Sequence, residues 1–161
     1  MEAIIRTAYI EDLDEISELV QASVQSLQKK DYDSNTIVQA MELITGFDVL
    51  INNKQFFVAE YDGCIVGCGG FSTMQGDKTC AELKSYFILP EHARKGISTQ
   101  LLEHSVIKCI KAGVSFLKLS ATLTGVPFYK KNGFTVAREF DQVLSNGDSF
   151  RMVEMERIIA P

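Results

Sequence analysis

The chain has 161 residues, 46% of them hydrophobic and 23% charged, which is the size and composition of one ordinary globular domain with room for a sizeable core. Its net charge of −5 argues against nucleic acid, because neutralising phosphates needs a basic face, and is compatible with a cationic amine as partner. No apolar run approaches the ~20 residues that span a bilayer, and residues 1–15 lack a basic region followed by an apolar block, so no membrane partner is expected and the expected location is cytoplasmic.

Taken in chain order, Ala3 to Ala8 reads as a first strand. A helix follows from about Glu11 to Leu27, with Ile16, Leu19, Val20 and Val24 at helical spacing. Lys29 to Asp33 is a break, after which Asp33 or Ser34 can cap a second helix running to about Ile44 on a stripe of Ile37, Val38, Met41 and Ile44. Phe56 to Glu60 and Ile65 to Ser72 form a hairpin around Asp62-Gly63. Cys64 and Cys68 are expected on one strand face as small buried hydrophobes. The four cysteines include no C-x-x-C and have only His92 and His104 as companions, so neither a metal site nor a disulfide framework is expected.

An apolar strand, Leu83 to Leu89, is stopped by Pro90 and leads through a polar loop and Gly96 into a helix from Ile97 to Lys111. Inward positions in that helix are Ile97, Leu101, Leu102, Val106 and Ile110. The first N–H groups of a helix lack intrahelical partners and sit at the positive end of its dipole, so a phosphate suits the site. Gly96 permits close approach of backbone to a ligand, and Arg94 and Lys95 add two cations. An ordinary strand–turn–helix connection with two solvated basic residues explains the same local features. Neither G-x-x-x-x-G-K-[ST] nor G-x-G-x-x-G occurs. Ser115 to Ser120 is a fifth strand, a short helix carries Tyr129, and Phe134 to Leu144 with Ser149 to Ile159 closes the chain as a hairpin around Asn146-Gly147.

The stretch Ala93-Arg94-Lys95-Gly96-Ile97-Ser98 resembles the [QR]-x-x-G-x-[GA] loop of the GNAT superfamily, the acyl-CoA-dependent N-acetyltransferases, with Ala93 and Ser98 departing from the pattern at its two ends. Phe128-Tyr129-Lys130-Lys131-Asn132-Gly133-Phe134 resembles the superfamily's later F-Y-x-x-x-G-F segment, with Thr122 standing where Asn is frequent. The resemblance implies an α/β (α+β) GNAT fold over residues 1–161 as a single domain. Its sheet would be twisted, mixed and mostly antiparallel, of about seven strands, flanked by about four helices and splayed between strands four and five. It also implies acetyl-CoA as cosubstrate, no metal, and transfer of the acetyl group to a primary amine of a small molecule or peptide. Homodimerisation is compatible with the chain. A second reading is an acyl-CoA sensor or partner module without turnover.

The same resemblance implies roles for individual residues. The backbone of Phe87, Ile88 and Leu89 would pair with pantetheine, N–H groups from Arg94, Lys95, Gly96, Ile97, Ser98 and Thr99 would take the pyrophosphate, and the Thr122 hydroxyl would bond the cofactor. Arg94 would either pair with a phosphate or remain a solvated charge near the adenosine. An N–H beside a bulge near Ile88 would receive the oxyanion. Tyr129 would protonate the leaving thiolate, or else be a buried aromatic with a structural hydroxyl. Glu82, fourteen residues before Gly96, would be the general base, or else a strand-end partner of Lys84. The acceptor would be lined by residues 28–34 and 144–149. There Asp31, Tyr32 and Asp33 would hold an ammonium, or else form a solvated capping loop.

Overall fold

The computed structural model describes residues 2–27 and 32–159. Strand β1 (Ile4–Thr7) passes through a 3-10 turn at Ile10–Asp12 into α1 (Leu13–Leu27). Arg6 anchors this corner by donating to Glu60 at 2.7 Å and to Asp12 at 2.8 Å. All four apolar residues expected on the inner face of α1, namely Ile16, Leu19, Val20 and Val24, are buried.

Helix α2 (Ser34–Ala40) starts where the sequence indicates. The Asp33 carboxylate accepts from the Thr36 N–H at 2.7 Å, and this bond lowers the carboxyl pKa below its ordinary range. The helix is shorter than expected. It gives way to a 3-10 turn at Met41–Leu43, and of the anticipated stripe Ile37 is buried while Val38 is 56% exposed. Helix α3 (Phe47–Asn52) has no counterpart in the sequence reading, because six residues hold too little of a 3.6-residue period to be distinguished from loop. It nevertheless buries Leu50 and Ile51.

Strands β2 (Phe56–Tyr61), β3 (Cys64–Met74) and β4 (Asp77–Ile88) form a meander. Asp62 and Gly63 both take positive φ, 52° and 78°, as a two-residue hairpin turn that follows the strand twist requires. After β4 come α4 (Ile97–Lys111), β5 (Phe116–Thr122), α5 (Val126–Lys131), β6 (Thr135–Val143) and β7 (Ser149–Ile158). The sheet has seven strands in the order β1-β2-β3-β4-β5-β7-β6, with β4 and β5 parallel and every other neighbouring pair antiparallel. This is the mixed, mostly antiparallel α/β sheet expected. Among the described residues it carries five α-helices rather than about four, the addition being α3.

Helix α4 covers one face of the sheet, packing Ile97, Leu101 and Leu102 on Ala81, Leu83, Leu117 and Leu119. Its buried stripe continues through Ser105 and Cys109; Ile110, expected inward, is 44% exposed because it lies one position beyond that stripe. The other face receives α1, α2 and α3, whose Ile16, Leu19, Ile37 and Leu50 meet Phe56, Val58, Ile65 and Cys68.

Cys64 and Cys68 do not share a buried face. Pairing of β2 with β3 slips between Ala59 and Glu60, so Val66 is an extra residue and the alternation of β3 is reset there. Ile65 and Cys68 consequently enter the same cluster, while Cys64 at the hairpin end is exposed. The Ile65 N–H beside this bulge donates to the Glu15 carboxylate at 2.8 Å, tying α1 to it.

Burial pushes the thiols of Cys68 and Cys109 up to about 12. In native protein at about pH 8, an aromatic disulfide reagent should therefore react rapidly with Cys64 and reach Cys68 and Cys109 only after denaturant is added. Rapid native reaction at Cys68, mapped by mass spectrometry, would contradict the register described for β3.

Candidate active site

The site is built around a fork in the sheet. Strands β4 and β5 pair only at Cys80 with Phe116, Ala81 with Leu117 and Glu82 with Lys118. Beyond Glu82, β4 continues to Ile88 on β3 alone, and β5 continues to Thr122 on β7 alone. A bulge in β4 accompanies the parting: Ser85 takes a left-handed φ of 63°, and Ser85 with Tyr86 together face the single residue Gly69 of β3. The bulge lies at Ser85–Tyr86 and not beside Ile88 as the sequence reading placed it, because the extra residue is accommodated opposite Gly69.

Past the bulge the Leu89 N–H donates to the Val66 carbonyl at 2.9 Å. Alternation along an antiparallel ladder then directs the N–H and C=O of Ile88 away from β3, into the fork. Of the three residues whose backbone groups are expected there, Leu89 has its N–H committed to β3. By the same alternation the Phe87 N–H, opposite Cys68, is turned toward β3.

Two cavities meet at the fork. One, of about 690 Å³, is lined by Ile88, Arg94, Gly96, Ile97, Ser98 and Thr99 among others. The second, of about 450 Å³, includes Glu82, Lys84, Ser120, Phe140, Phe150 and Met152. Tyr86, Phe87, Thr122, Gly125 and Tyr129 line both. Thr122 accepts from the Gly125 N–H at 3.3 Å, which leaves its own hydroxyl proton available to the larger cavity.

At the outer end of the larger cavity the loop residues Arg94 and Gly96 both take positive φ, 62° and 82°. Gly96 is the N-cap of α4 and offers no side-chain cap; Gln100 is the residue whose N–H returns to the Gly96 carbonyl, at 3.1 Å. The N–H groups of Ile97, Ser98 and Thr99 therefore open toward the cavity at the positive end of a fifteen-residue helix. A Cβ added at Gly96 would meet nothing within 4 Å, so the space in front of it is open. Arg94 and Lys95 are exposed, on the loop rather than inside it.

At the junction, Tyr129 stands on α5 with its ring edge-on to Phe128 at 5.1 Å and to Phe134 at 5.7 Å. Burial raises its pKa above that of an ordinary phenol, so it remains protonated through neutral pH and beyond. Among the described residues no partner holds its hydroxyl. Glu82 sits at the vertex of the fork and lines the smaller cavity, its carboxylate 3.5 Å from the Lys84 ammonium. The structure thus brings Glu82, Tyr129 and Thr122 to one cavity system together with Ile88 and the α4 N-terminus.

The expected acceptor residues fare differently. Asp31 and the segment 28–31 lie outside the described residues. Asp33 is exposed and spends its carboxylate on capping α2. Tyr32 is buried and stacked on Phe150 at 4.4 Å; its hydroxyl accepts from the Leu123 N–H at 2.6 Å and donates to the Arg151 carbonyl at 2.8 Å. Its ring is covered by core, and neither Tyr32 nor Asp33 lines the smaller cavity. The 144–149 loop is drawn away too, since Leu144 enters the core and the Ser145 hydroxyl donates to Glu42 at 2.9 Å. The smaller cavity is walled instead by Phe140 and Gln142 of β6 and by Phe150 and Met152 of β7.

Tyr86 is the functional-site residue that the sequence reading missed. It reads as one more apolar position in a strand, and only its place after the bulge turns it toward α4, where its buried hydroxyl donates to Ser105 at 2.6 Å. The ring lies against Gly69, where an added Cβ would fall 2.5 Å from it.

The model for the acetyltransferase (GNAT) family matches residues 16–134. The chain belongs to that family. Solved structures with this fold include the PaiA N-acetyltransferase from Thermoplasma acidophilum in complex with coenzyme A, 23% identical with TM-score 0.76 over 98% of this GNAT chain and 99% of that one. A putative acetyltransferase, YncA, from Salmonella typhimurium with its cofactor acetyl-CoA is 19% identical with TM-score 0.68 over 100% and 96% of the two chains. A probable acetyltransferase from Staphylococcus epidermidis is 15% identical with TM-score 0.77 over 98% and 99%. At such identities the structural likeness establishes the GNAT fold alone. No curated protein matches the chain in sequence.

Because the Tyr86 ring occupies the space beside Gly69, Gly69→Ala should push it off β3 and strain the bulge. Urea denaturation should show a loss of about 1–3 kcal/mol, the cost of overpacking a tight site. The loss should shrink in a Tyr86→Leu background, since the two changes share one contact.

Proposed function

We propose that this GNAT protein, its 161 residues acting as one domain, transfers the acetyl group of acetyl-CoA to a primary amine of a small molecule or peptide by direct attack. The observation that carries this reading is the fork itself: an unpaired run of strand backbone, with an uncapped helix N-terminus at one end and a carboxylate and a protonated phenol at the other. The crystallisation of the Thermoplasma and Salmonella proteins with coenzyme A and acetyl-CoA supports it.

On this reading pantetheine fills the fork as an extra strand and satisfies the gap-facing backbone of Ile88, and the pyrophosphate rests on the N–H groups of Gly96, Ile97, Ser98 and Thr99. Arg94 and Lys95, being exposed, contribute a positive field rather than a clamp. The thioester lies at the junction of the cavities. An ammonium entering the smaller cavity gives its proton to Glu82, directly or through one water, and the free amine attacks the carbonyl carbon. A backbone N–H on the fork side of β4 stabilises the oxyanion. As the C–S bond breaks, Tyr129 donates its proton to sulfur, the acylated nitrogen gives up its remaining extra proton to solvent, and the phenolate regains one from solvent.

Release of free thiol from acetyl-CoA in the presence of a panel of amines tests the reading. If no amine accelerates release while coenzyme A still binds, the chain is an acyl-CoA-binding module without turnover. Glu82→Gln should lower kcat/KM about 10²–10⁴-fold at neutral pH, with partial recovery at high pH where free amine is abundant. Near-normal turnover with an unchanged pH profile would remove Glu82 from the role of base.

Tyr129→Phe keeps the ring and its aromatic neighbours. It should lower kcat roughly 10-fold or more while acetyl-CoA affinity, measured by calorimetry, barely changes, because the lost interaction strengthens only as charge develops on sulfur. Since burial holds the Tyr129 pKa above its ordinary value of about 10, the wild-type rate should not fall as pH rises toward that value. Early melting of the variant with normal turnover per folded molecule would make Tyr129 a structural aromatic.

A further inference from the structure

We propose that the acceptor is a zwitterionic α-amino acid with an apolar side chain, its ammonium held at Glu82 and its carboxylate at Lys84. This rests on the acetyl-transfer reading above and names the substrate class of the same site.

The argument begins with charge. Of the described residues lining the smaller cavity, Glu82 and Lys84 alone carry formal charge. Lys118, the neighbour of Glu82 on β5, belongs to the closed part of the fork and does not line the cavity. The two charged groups alternate along one strand and project from the same face, about 6.6 Å apart at their roots. Their mutual contact is loose, a single 3.5 Å approach between side chains 29% and 44% exposed. A pair so exposed contributes little. A ligand bearing one charge of each sign can therefore replace each partner with its own opposite charge at small cost.

Other acceptors fit less well. A polyamine brings a second cation for which the described lining supplies no second carboxylate, and that cation would meet Lys84. A simple alkylamine engages Glu82 alone and gains nothing from Lys84. An amino acid neutralises both groups. The remaining lining suits its side chain, because Phe140, Phe150 and Met152 form an apolar wall, and about 450 Å³ lies near the lower end of the range for small-ligand sites. Gln142 and Ser120 add polar groups to the lining.

The experiment measures thiol release from acetyl-CoA with L-leucine, leucinamide, isoamylamine and spermidine. The amide and the amine keep the apolar chain but remove the negative charge. Leucine should exceed each of the others in kcat/KM by about tenfold or more, the scale of a charge-assisted hydrogen bond. Lys84→Met should erase most of that preference, mainly through the KM for leucine, and Lys84→Arg should retain it.

If isoamylamine or spermidine equals or exceeds leucine, or if the preference survives in Lys84→Met, the amino-acid assignment falls and acetyl transfer stands. If none of the four accelerates release but an amine other than an apolar α-amino acid does, the assignment again falls alone. If no amine at all accelerates release, the transfer reading fails and takes this inference with it.

Discussion

Everything at the site depends on two neighbouring strands that stop pairing. Strands β4 and β5 separate after Glu82 and Lys118 although each continues well beyond that point. Backbone N–H and C=O groups facing an apolar gap without partners are costly, so an open fork is stable only if water or a ligand meets its edges. The sheet keeps the cost low by satisfying the far edge of each strand, β4 against β3 and β5 against β7, so that only one edge of each is exposed. What remains is a slot edged by unpaired strand backbone. On the proposed reading the cosubstrate is the missing strand.

The bulge at Ser85–Tyr86 links this opening to the core. By adding a residue opposite Gly69 it resets the alternation of β4, so Leu83 and Ile88, which differ in parity, both pack in the cluster under α4. Tyr86 spans the same junction and reaches Ser105 on α4, the helix whose N-terminus begins at the loop. The loop end and the reacting end of the larger cavity are therefore tied to one rigid helix. A left-handed Ser85 is an energetic cost at the site, offset by the packing and hydrogen bond that the bulge permits.

How much of this was legible in the sequence follows from the range of each signal. Local devices read correctly: the Asp62-Gly63 turn, the Asp33 cap and the start of α4 at Ile97 are all written within a few residues. Motif resemblance pointed to the fork between strands four and five. Features made by register did not show, because a bulge leaves no mark in composition; hence Cys64 was placed inside and the β4 bulge was placed near Ile88. The burial of Tyr32 is hidden in the sequence for a related reason. Tyr32 looks like an exposed aromatic between charged residues, but its hydroxyl joins the Leu123 N–H to the Arg151 carbonyl, a contact between segments more than ninety positions apart. Helix α3 escaped because six residues are too few for periodicity.

The position of Glu82 shows why register matters to chemistry as well as to packing. As the last residue of β4 still paired with β5, it has its backbone fixed on both sides, while its side chain reaches the opening where pairing ends. A carboxylate one pair earlier, at Ala81, would be buried on the other face under α4. One placed after the bulge would ride on a strand held from a single side. A group that must meet a substrate proton within about 3 Å gains from such a fixed root, because misplacement by even 1 Å is expensive in rate. Lys84, two residues on and still before the bulge, inherits the same face on backbone held by β3. The pair of opposite charges at the mouth of the cavity is thus a consequence of where the two strands part.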